Sequence, residues 1–502
     1  MRHVVIVGAG PGGLATAMLL AAAGARVTIL ERQPRLGGRS GTIEADGFRF
    51  DIGPTFFLYP RPLQDIFRAC GRRLEECVDL LRLDPQYHLR FEDGQEIHAT
   101  SQLERMQAEI RRFAPADAEA LPQFMADNRR KLAAFRPVLE RPFTSLSAFL
   151  DPAVIKALAL LRPTRSVDSD LTRHFKDSRV RLAFSFQSKY LGMSPFQCPS
   201  LFTILSFIEY EYGVFHPRGG CGAVMQAMAA AAGEMGAEIR LADPVQEILF
   251  KGRRAVGVRT EAGTELRADA LVLNADFAHA MTALVPDRLR RRWTNRRLAG
   301  KKFSCSTFMM YLGVDGRFPD LAHHTIWLAH DYARNIAEIQ TGRSLPVNPS
   351  FYVQNACATD PGQAPDGCSA LYVLVPVAHR TPHIDWAARR AEFRALAFRQ
   401  LTRIGLPADL ERRIRFERIV TPADWEQDMA IHRGATFNLA HSMDQMLHLR
   451  PHNQFEDLEG VYLVGGGTHP GSGLPAIFES ARITARLVSG NLGLGQLRMA
   501  AE

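Results

Sequence analysis

The sequence predicts an α/β fold: a Rossmann-like dinucleotide-binding domain formed by both chain ends, with an α+β domain and a helical lid inserted between them. Three observations support this prediction. The chain opens with a strand, a glycine-rich turn and a helix in IVGAGPGGLATAMLLAAAG. It closes with a second such unit, VYLVGGGTHPGSGLPAIFES. Residues 103–215 have helical periodicity, and 502 residues are too many for one ordinary core.

The N-terminal unit is a βαβ motif. HVVIVGAG is a continuous β-branched run and predicts a buried parallel strand. A helix is expected from Leu14 to Ala23, closed by Gly24. ARVTILE predicts the second strand, which ends at Glu31. Residues 44–54 predict a short extended segment and a turn.

The middle of the chain alternates in character. Within the helical part, Asp151 and Pro152 predict a helix cap and a first-turn proline. Strand patterns return in residues 237–275, with turns at KGRR and EAGT, and again in residues 303–313 and 369–378.

Two helices are expected nearer the C-terminus. DWAARRAEFRALAFRQLTRIG predicts one amphipathic helix ending at Gly405. The last helix has Pro475 in its first turn and is expected to end at Gly490.

These patterns predict three units. The dinucleotide-binding domain comprises residues 1–80, 219–300 and 440–502, and the substrate-binding domain comprises residues 81–102 and 301–439. The helical insertion comprises residues 103–218 and offers an apolar face to lipid or to its own core.

Composition excludes several classes. The net charge is +8, and much of the excess lies in RLRRRWTNRRLAGKK, residues 288–302. No nucleic-acid-binding motif accompanies this run, so a solvated helix face is favoured over a nucleic-acid partner. The seven cysteines form no C-x-x-C pair, which favours a reducing cytosol and argues against a zinc site. The sequence shows no apolar window of about twenty residues, so no transmembrane anchor is predicted.

The N-terminal turn carries the chemistry of phosphate binding. Gly8, Gly10 and Gly13 form G-x-G-x-x-G between a strand and a helix. The first permits a tight turn, the second lets the backbone approach a pyrophosphate, and the third lets helix and strand pack closely. Glu31 follows Gly13 by eighteen residues and can accept hydrogen bonds from a ribose diol. The fingerprint alone does not separate NAD from FAD.

Two further features help to distinguish these cofactors. Arg39, on a glycine-rich loop, can reach pyrophosphate oxygens with its planar donor fork. The second glycine-rich turn leads into a helix whose positive N-terminal end would stabilise a reduced flavin ring. His469, within that turn, is a weak catalytic candidate.

The combination of these blocks resembles the bacterial-type phytoene desaturase family of carotenoid desaturases. The most specific block is YLVGGGTHPGSGLP, and the similarity continues in order along nearly the whole chain. The intervening blocks are FDIGPT, EYGVFHPRGGCGAVMQAM, LVLNAD, LAHHT, ATDPGQAPDGCSALYVLVPV, TPADW and RPHN. The resemblance implies a fold like that of glutathione reductase and the amine oxidases, with FAD as cofactor.

Carried over by position, the resemblance implies a set of FAD-binding residues and no metal. The set comprises Gly8, Gly10, Pro11, Gly12, Gly13, Glu31, Arg32, Gly38, Arg39, Gly53, Pro54, Val245, Asn274, Gly466, Gly467, Thr468, His469, Gly473, Leu474 and Pro475. The expected reaction removes hydrogen from adjacent carbons of a long polyene, with hydride passing to the flavin and a proton lost from the neighbouring carbon. The base is not identified; His469 and His323 are candidates by position alone.

The family also implies a cytoplasmic protein, peripheral to the inner face of the cell membrane, that takes a long-chain polyene from the bilayer. This chain departs from the pattern at His216, within GVFHPRGG, and at LPAIFESARI, where lycopene-forming members have smaller residues. The LPAIFESARI ending favours substrates such as C30 or hydroxylated carotenoids.

Two other function classes stay open. A related flavin amine or protoporphyrinogen oxidase lacks the G-T-H-P-G-x-G block and would release peroxide. A lipid-binding protein like the GDP-dissociation inhibitors would show no flavin absorption. The oligomeric state is left undetermined.

Overall fold

The computed structural model describes residues 1–496, so the last six residues of the predicted 440–502 segment lie outside the described part. The strands of the described part are β1 (His3–Val7), β2 (Arg26–Leu30), β3 (Thr42–Ala45), β4 (Phe48–Asp51), β5 (Phe57–Leu58), β6 (Leu80–Arg82), β7 (Tyr87–Phe91), β8 (Glu96–Ala99), β9 (Val214–Pro217), β10 (Glu238–Arg240), β11 (Val245–Lys251), β12 (Arg254–Thr260), β13 (Glu265–Arg267), β14 (Ala270–Leu273), β15 (Ser306–Asp315), β16 (His324–Leu328), β17 (Phe351–Asn355), β18 (Cys368–Val377), β19 (Ile414–Val420) and β20 (Val461–Leu463).

The α-helices of the same range are α1 (Pro11–Ala22), α2 (Arg61–Ala69), α3 (Leu103–Arg111), α4 (Pro115–Leu139), α5 (Pro152–Leu161), α6 (Val167–Leu171), α7 (Ser178–Ala183), α8 (Thr203–Tyr212), α9 (Cys221–Glu234), α10 (Phe277–Leu284), α11 (Asn295–Ala299), α12 (Tyr332–Thr341), α13 (Trp386–Leu401), α14 (Pro422–Met429) and α15 (Leu474–Leu492). The alternation of strands and helices gives the predicted α/β architecture.

A five-stranded parallel sheet joins the two ends of the chain. Its order is β10-β2-β1-β14-β20, so β14 pairs with both the N-terminal and the C-terminal strand. Successive side chains of a strand point to opposite faces. Val4 and Ile6 pack under α1, α9 and α15, whereas Val5 and Val7 pack towards α10 and the antiparallel sheet of β11, β12 and β13.

The inserted part is built on a seven-stranded mixed sheet of order β19-β15-β18-β17-β16-β7-β8. α13 packs on one face of it in an apolar core. The helices between residues 103 and 212 form the largest core, together with β7, β8 and β16. The three-unit division remains a prediction, although β9 is a strand inside the expected helical insertion and pairs with β5 and β6.

Local signals place several helix ends. Asp151 caps α5 by accepting a hydrogen bond from the Ala153 N–H at 2.7 Å, and Pro152 is its first residue, as predicted. α1 begins at Pro11, not Leu14, because proline suits the first helical position. α15 does not end at Gly490; it continues to Leu492, and Gly493 closes it with a φ of +66°.

The prediction of a solvated helix face in residues 288–302 is right for most of the charged side chains and wrong for a continuous helix. Only Asn295–Ala299 is α-helical there. Trp293 is 1% exposed and draws the run against the core, so Arg290 is buried and donates to the Trp293 carbonyl at 2.7 Å. Arg292 pairs with Glu456 at 3.0 Å. Arg288, Arg291, Arg296, Arg297 and Lys302 remain exposed, so most of the charge of this run faces solvent.

All seven cysteines are free thiols. Within residues 1–496, no helix combines the length and the apolar character needed to cross a bilayer.

Candidate active site

One large cavity of about 1030 Å³ connects the parallel sheet with the inserted part. This volume lies at the upper end of the range for ligand pockets, roughly 300–1,000 Å³. The starts of α1 and α15 line one half of it, which we call the cradle. Apolar side chains of α4, α8 and the seven-stranded sheet line the other half, which we call the arm.

The cradle begins at the N-terminal glycine turn. Gly8 has a φ of +104°, and a Cβ on Gly13 would lie 2.2 Å from the Gly8 carbonyl oxygen. Asn274, at the end of β14, donates through Nδ2 to that same carbonyl at 3.0 Å. No side chain caps α1, and its first turn holds no acidic residue. The helix start therefore presents free N–H groups and positive partial charge to the cavity.

Glu31 and Arg39 flank this turn. The two Glu31 carboxylate oxygens accept from the Ala9 N–H at 2.7 Å and the Gln33 N–H at 2.9 Å, which fixes the side chain at the cavity wall. Arg39 donates to the Thr436 carbonyl at 2.7 Å. Burial lowers the pKa of Arg39, and nearby Asp276 opposes the shift.

Asn438 connects Arg39 with Asp276. Its amide donates to Asp276 Oδ2 at 2.7 Å and accepts from Arg39 Nη2 at 3.3 Å. Sequence reasoning did not single out Asn438 or Asp276. Asp276 was visible only as the last residue of LVLNAD, and nothing in the sequence near Asn438 indicated its place.

The C-terminal turn is held from behind by buried side chains. Arg450, 0% exposed, donates to the carbonyls of Gly466 at 2.6 Å and Thr468 at 3.2 Å. Asn453 donates to the His469 carbonyl at 3.1 Å. His441 Nε2 accepts from the Ser472 N–H at 2.9 Å, and burial keeps the pKa of this imidazole well below its usual value. The sequence signal for the first two was the RPHN block.

The structure brings most of the predicted FAD-binding residues to this one cavity. Those that line it are Gly8, Gly10, Pro11, Glu31, Arg32, Gly38, Arg39, Gly53, Pro54, Val245, Asn274, Gly466, Gly467, Gly473, Leu474 and Pro475. Gly12, Gly13, Thr468 and His469 do not line it. Their assignment to FAD binding remains a prediction.

The two histidine candidates lie behind the cavity wall. His469 is 1% exposed, its Nε2 contacts the Arg141 carbonyl at 3.0 Å, and burial lowers its pKa to about 3. His323 is buried too, with ring nitrogens on Thr359 at 2.9 Å and Gln354 at 3.2 Å. Neither imidazole opens into the cavity.

A different histidine reaches the cavity through a tyrosine. Tyr352 and Thr55 both line the wall beside Gly53 and Pro54. The Tyr352 hydroxyl lies 2.7 Å from Thr55 Oγ1 and 2.7 Å from His324 Nδ1. Burial holds the pKa of His324 well below its usual value, so its imidazole is neutral at pH 7.

The donor set fits a flavin dinucleotide. Two uncapped helix starts and Arg39 supply the positive partial and full charges that a pyrophosphate needs. At the second start, Gly473 has a φ of +99°, and a Cβ there would meet no atom within 4 Å, which leaves an open face for a flat ring.

Comparison with known proteins decides the family. A family model described as flavin containing amine oxidoreductase matches residues 11–489. A 4,4′-diapophytoene desaturase (4,4′-diapolycopene-forming) of Methylomonas sp is 46% identical over 97% of this chain and 95% of its own. A phytoene desaturase (lycopene-forming) of Pseudescherichia vulneris is 35% identical over 97% and 99%.

The chain belongs to the phytoene desaturase family. An oxidoreductase structure from Methanosarcina mazei, 16% identical, shares the fold with a TM-score of 0.62 over 97% of this chain and 100% of its own. As a member of the phytoene desaturase family, the protein is an FAD-dependent oxidoreductase acting on CH–CH bonds. The expectation of an enzyme with FAD is confirmed.

Proposed function

We propose that this protein desaturates a long-chain isoprenoid polyene drawn from a membrane. The observation that supports this most is a single cavity in which a cradle for a dinucleotide continues into an apolar arm. FAD, when bound, supplies the two-electron acceptor for hydrogen removed from adjacent carbons.

The cradle residues bind and orient the cofactor. The starts of α1 and α15 present N–H donors to the cavity, and Arg39 adds a fixed cation. Glu31, held by two backbone N–H groups, keeps its remaining lone pairs for a ribose diol. Because the cradle is rigid backbone, orientation costs little reorganisation when the reaction occurs.

The arm excludes water and aligns the chain of the substrate. Its apolar lining includes Leu132, Phe135, Phe186, Leu201, Phe202, Ile204, Leu205, Ile208, Ile326, Leu328, Met446 and Leu447. Such a wall gains free energy from burying a hydrocarbon, at about 25 cal/mol per Å² of apolar surface. The wall offers no polar group to the middle of the polyene, so the shape of the arm sets the position of the substrate chain.

Tyr352 and His324 are the residues we assign to the departing proton. As the Tyr352 hydroxyl oxygen takes the proton from carbon, its own proton passes to His324 Nδ1, which lies 2.7 Å away. The carbon next to a carbocation is strongly acidic, so a weak base in a water-poor site is sufficient. A Tyr352→Phe variant should keep its FAD and its KM while kcat falls.

The proposal extends to the chain length of the substrate. We favour a C30 polyene, since the diapophytoene desaturase is 46% identical and the lycopene-forming phytoene desaturase 35%. Expression in hosts that supply either 4,4′-diapophytoene or phytoene, with pigment analysis, tests this. A coloured C30 product is expected; peroxide released from amines, with no pigment, would contradict desaturation.

We also propose a peripheral attachment to the cytoplasmic face of the membrane, through residues 145–156. Leu146, Leu150 and Ile155 are 66%, 75% and 54% exposed, and the preceding helix α4 lines the arm. Burying one such side chain in lipid contributes about 1.5–3 kcal/mol.

Vesicle co-sedimentation tests the attachment. The double variant Leu146→Ser with Leu150→Ser should bind vesicles at least about tenfold more weakly. Val347→Ser, which changes a side chain that is 70% exposed elsewhere, is the matched control. Equal loss in both variants would show that the segment has no special role.

A further inference from the structure

The apolar arm contains a group of hydrogen-bond donors that a hydrocarbon does not use. Lys189, Tyr332 and Asn335 all line the cavity. Within residues 1–496, the Lys189 ammonium forms no ion pair or hydrogen bond; Cys305 is the neighbouring titratable group. Cys305 lines the cavity too and also influences Tyr332, so Lys189 and Tyr332 both lie near this thiol.

The two other donors are buried and unpaired. Tyr332 is 6% exposed and its hydroxyl has no hydrogen-bond partner. Asn335 is 3% exposed; its Oδ1 accepts from the Ser350 N–H at 3.1 Å, whereas its Nδ2 has no partner. Tyr332 and Asn335 are three residues apart on α12, so they share one face of the helix.

Leaving such groups unpaired is costly. A buried donor without a partner loses the hydrogen bond that water gives it in the unfolded chain, and a buried cation without a counter-charge costs more. Burial lowers the pKa of Lys189, as expected for an ammonium group in a water-poor site. The two unpaired donors of α12, together with the Lys189 ammonium at the same cavity, indicate a ligand that satisfies them.

The chemistry of the group defines the ligand. Lysine ammonium, a tyrosine hydroxyl and an amide Nδ2 all donate, and the Asn335 acceptor is already used. The ligand must therefore present an acceptor oxygen, and the apolar walls on either side require an isoprenoid chain attached to it.

We propose that Lys189, Tyr332 and Asn335 form a subsite for an oxygen-bearing end group of the polyene, so that the preferred substrate carries a terminal carbonyl or hydroxyl. This rests on the proposed function and adds to it the substrate class. An isoprenoid quinone has the same chemistry, and the test separates the two sources.

The test measures binding to the purified, FAD-loaded enzyme in lipid vesicles. Its probes are a C30 polyene hydrocarbon, the same skeleton with a terminal aldehyde, and a benzoquinone with a short isoprenoid tail. Quenching of flavin fluorescence reports binding, and pigment formation reports turnover. The wild type should bind the aldehyde at least about tenfold more tightly than the hydrocarbon, as expected for a charge-assisted hydrogen bond.

Variants show which group is responsible. Lys189→Met should abolish the preference for the aldehyde while retaining FAD and hydrocarbon binding, and Tyr332→Phe should reduce it. Lys251→Met, on an exposed lysine of β11, is the matched control and should leave the preference intact. Lys189→Met should fold at least as stably as the wild type, because it removes an unpaired buried cation.

The outcomes are distinguishable. Equal binding of aldehyde and hydrocarbon by the wild type overturns the subsite, whereas pigment formation would still uphold desaturation. Loss of FAD or a changed flavin spectrum in Lys189→Met would assign the cation to the cofactor. A Lys189-dependent affinity seen for the quinone alone would assign the subsite to an electron acceptor and overturn the polyene assignment.

Discussion

The two halves of the cavity are made from different parts of the polypeptide. The cradle is mainly backbone: glycine turns, two helix starts and carbonyls held by buried side chains such as Arg450. The arm is made of side chains from segments far apart in sequence, with donors at Lys189, Tyr332 and Asn335. At Gly13 the backbone of the cradle leaves no room for an added atom, whereas a wall of side chains can be reshaped. The cradle should therefore fix the cofactor, and the arm should fix the substrate.

Substitution at Gly13 should break the cradle with the largest effect. A Cβ there would lie 2.2 Å from the Gly8 carbonyl, which is backbone and cannot move aside. Gly13→Ala should therefore purify without FAD, as judged by the visible absorbance of bound flavin. Gly233→Ala, where a Cβ meets nothing within 4 Å, should keep its FAD. An FAD-loaded Gly13→Ala protein would contradict the backbone-built cradle.

Filling the arm should change the substrate and leave the cofactor. Leu205→Trp places a bulky ring in the arm lining and should lower kcat/KM for a C30 polyene at least about tenfold, since overpacked sites accept extra volume poorly. Its FAD content should equal that of the wild type. Leu103→Trp, at a side chain that is 40% exposed, provides the control. Joint loss of FAD and activity in Leu205→Trp would show that the halves are not separable.

Arg450 is the buried cation that holds the C-terminal turn of the cradle from behind. Arg450→Met should lower the free energy of unfolding by about 2–3 kcal/mol, because the Thr468 carbonyl loses its donor and the Gly466 carbonyl keeps only Ser472 Oγ, at 3.2 Å. Urea titration checks this, with exposed Arg288→Met as a control expected to fall within about 0.5 kcal/mol. A stable Arg450→Met protein would remove the rear support of the cradle from the account.

Glu209 should give a smaller, pH-dependent effect. It lies behind the arm and accepts hydrogen bonds from Tyr87 at 3.0 Å and Gln187 at 2.9 Å, and burial raises its pKa to about 7. The folded state holds a proton that the unfolded state releases above about pH 4.3, so this stability is present in acid and is lost as pH rises through 7.

The neutral variant Glu209→Gln removes that titration. Its melting temperature should match the wild type near pH 5 and exceed it near pH 8, by the equivalent of about 1–3 kcal/mol. Glu104→Gln, at an exposed site, should follow the wild type at both values. If the melting temperatures of Glu209→Gln and the wild type change in parallel between pH 5 and pH 8, the Glu209 carboxyl is ionised throughout this range.

The same contrast explains how much the sequence could predict. The glycine turns, Glu31 and the Asp151–Pro152 helix start are local, because one short segment fixes the backbone chemistry. The donors of the arm come from segments separated by more than a hundred residues, and each alone resembles an ordinary surface or core residue. The basic run at 288–302 is not one continuous helix because Trp293 packs against the core, a tertiary effect that charge patterning does not carry.

An anaerobic single turnover tests the central claim most directly. The purified FAD enzyme, in vesicles and without oxygen or other acceptor, is mixed with one equivalent of a C30 polyene. The account predicts that loss of flavin absorbance matches the new conjugated double bonds one for one. Two results would contradict a shared cavity in which the polyene passes hydrogen to the flavin. One is pigment formed while the flavin stays oxidised, and the other is reduced flavin with an unchanged polyene.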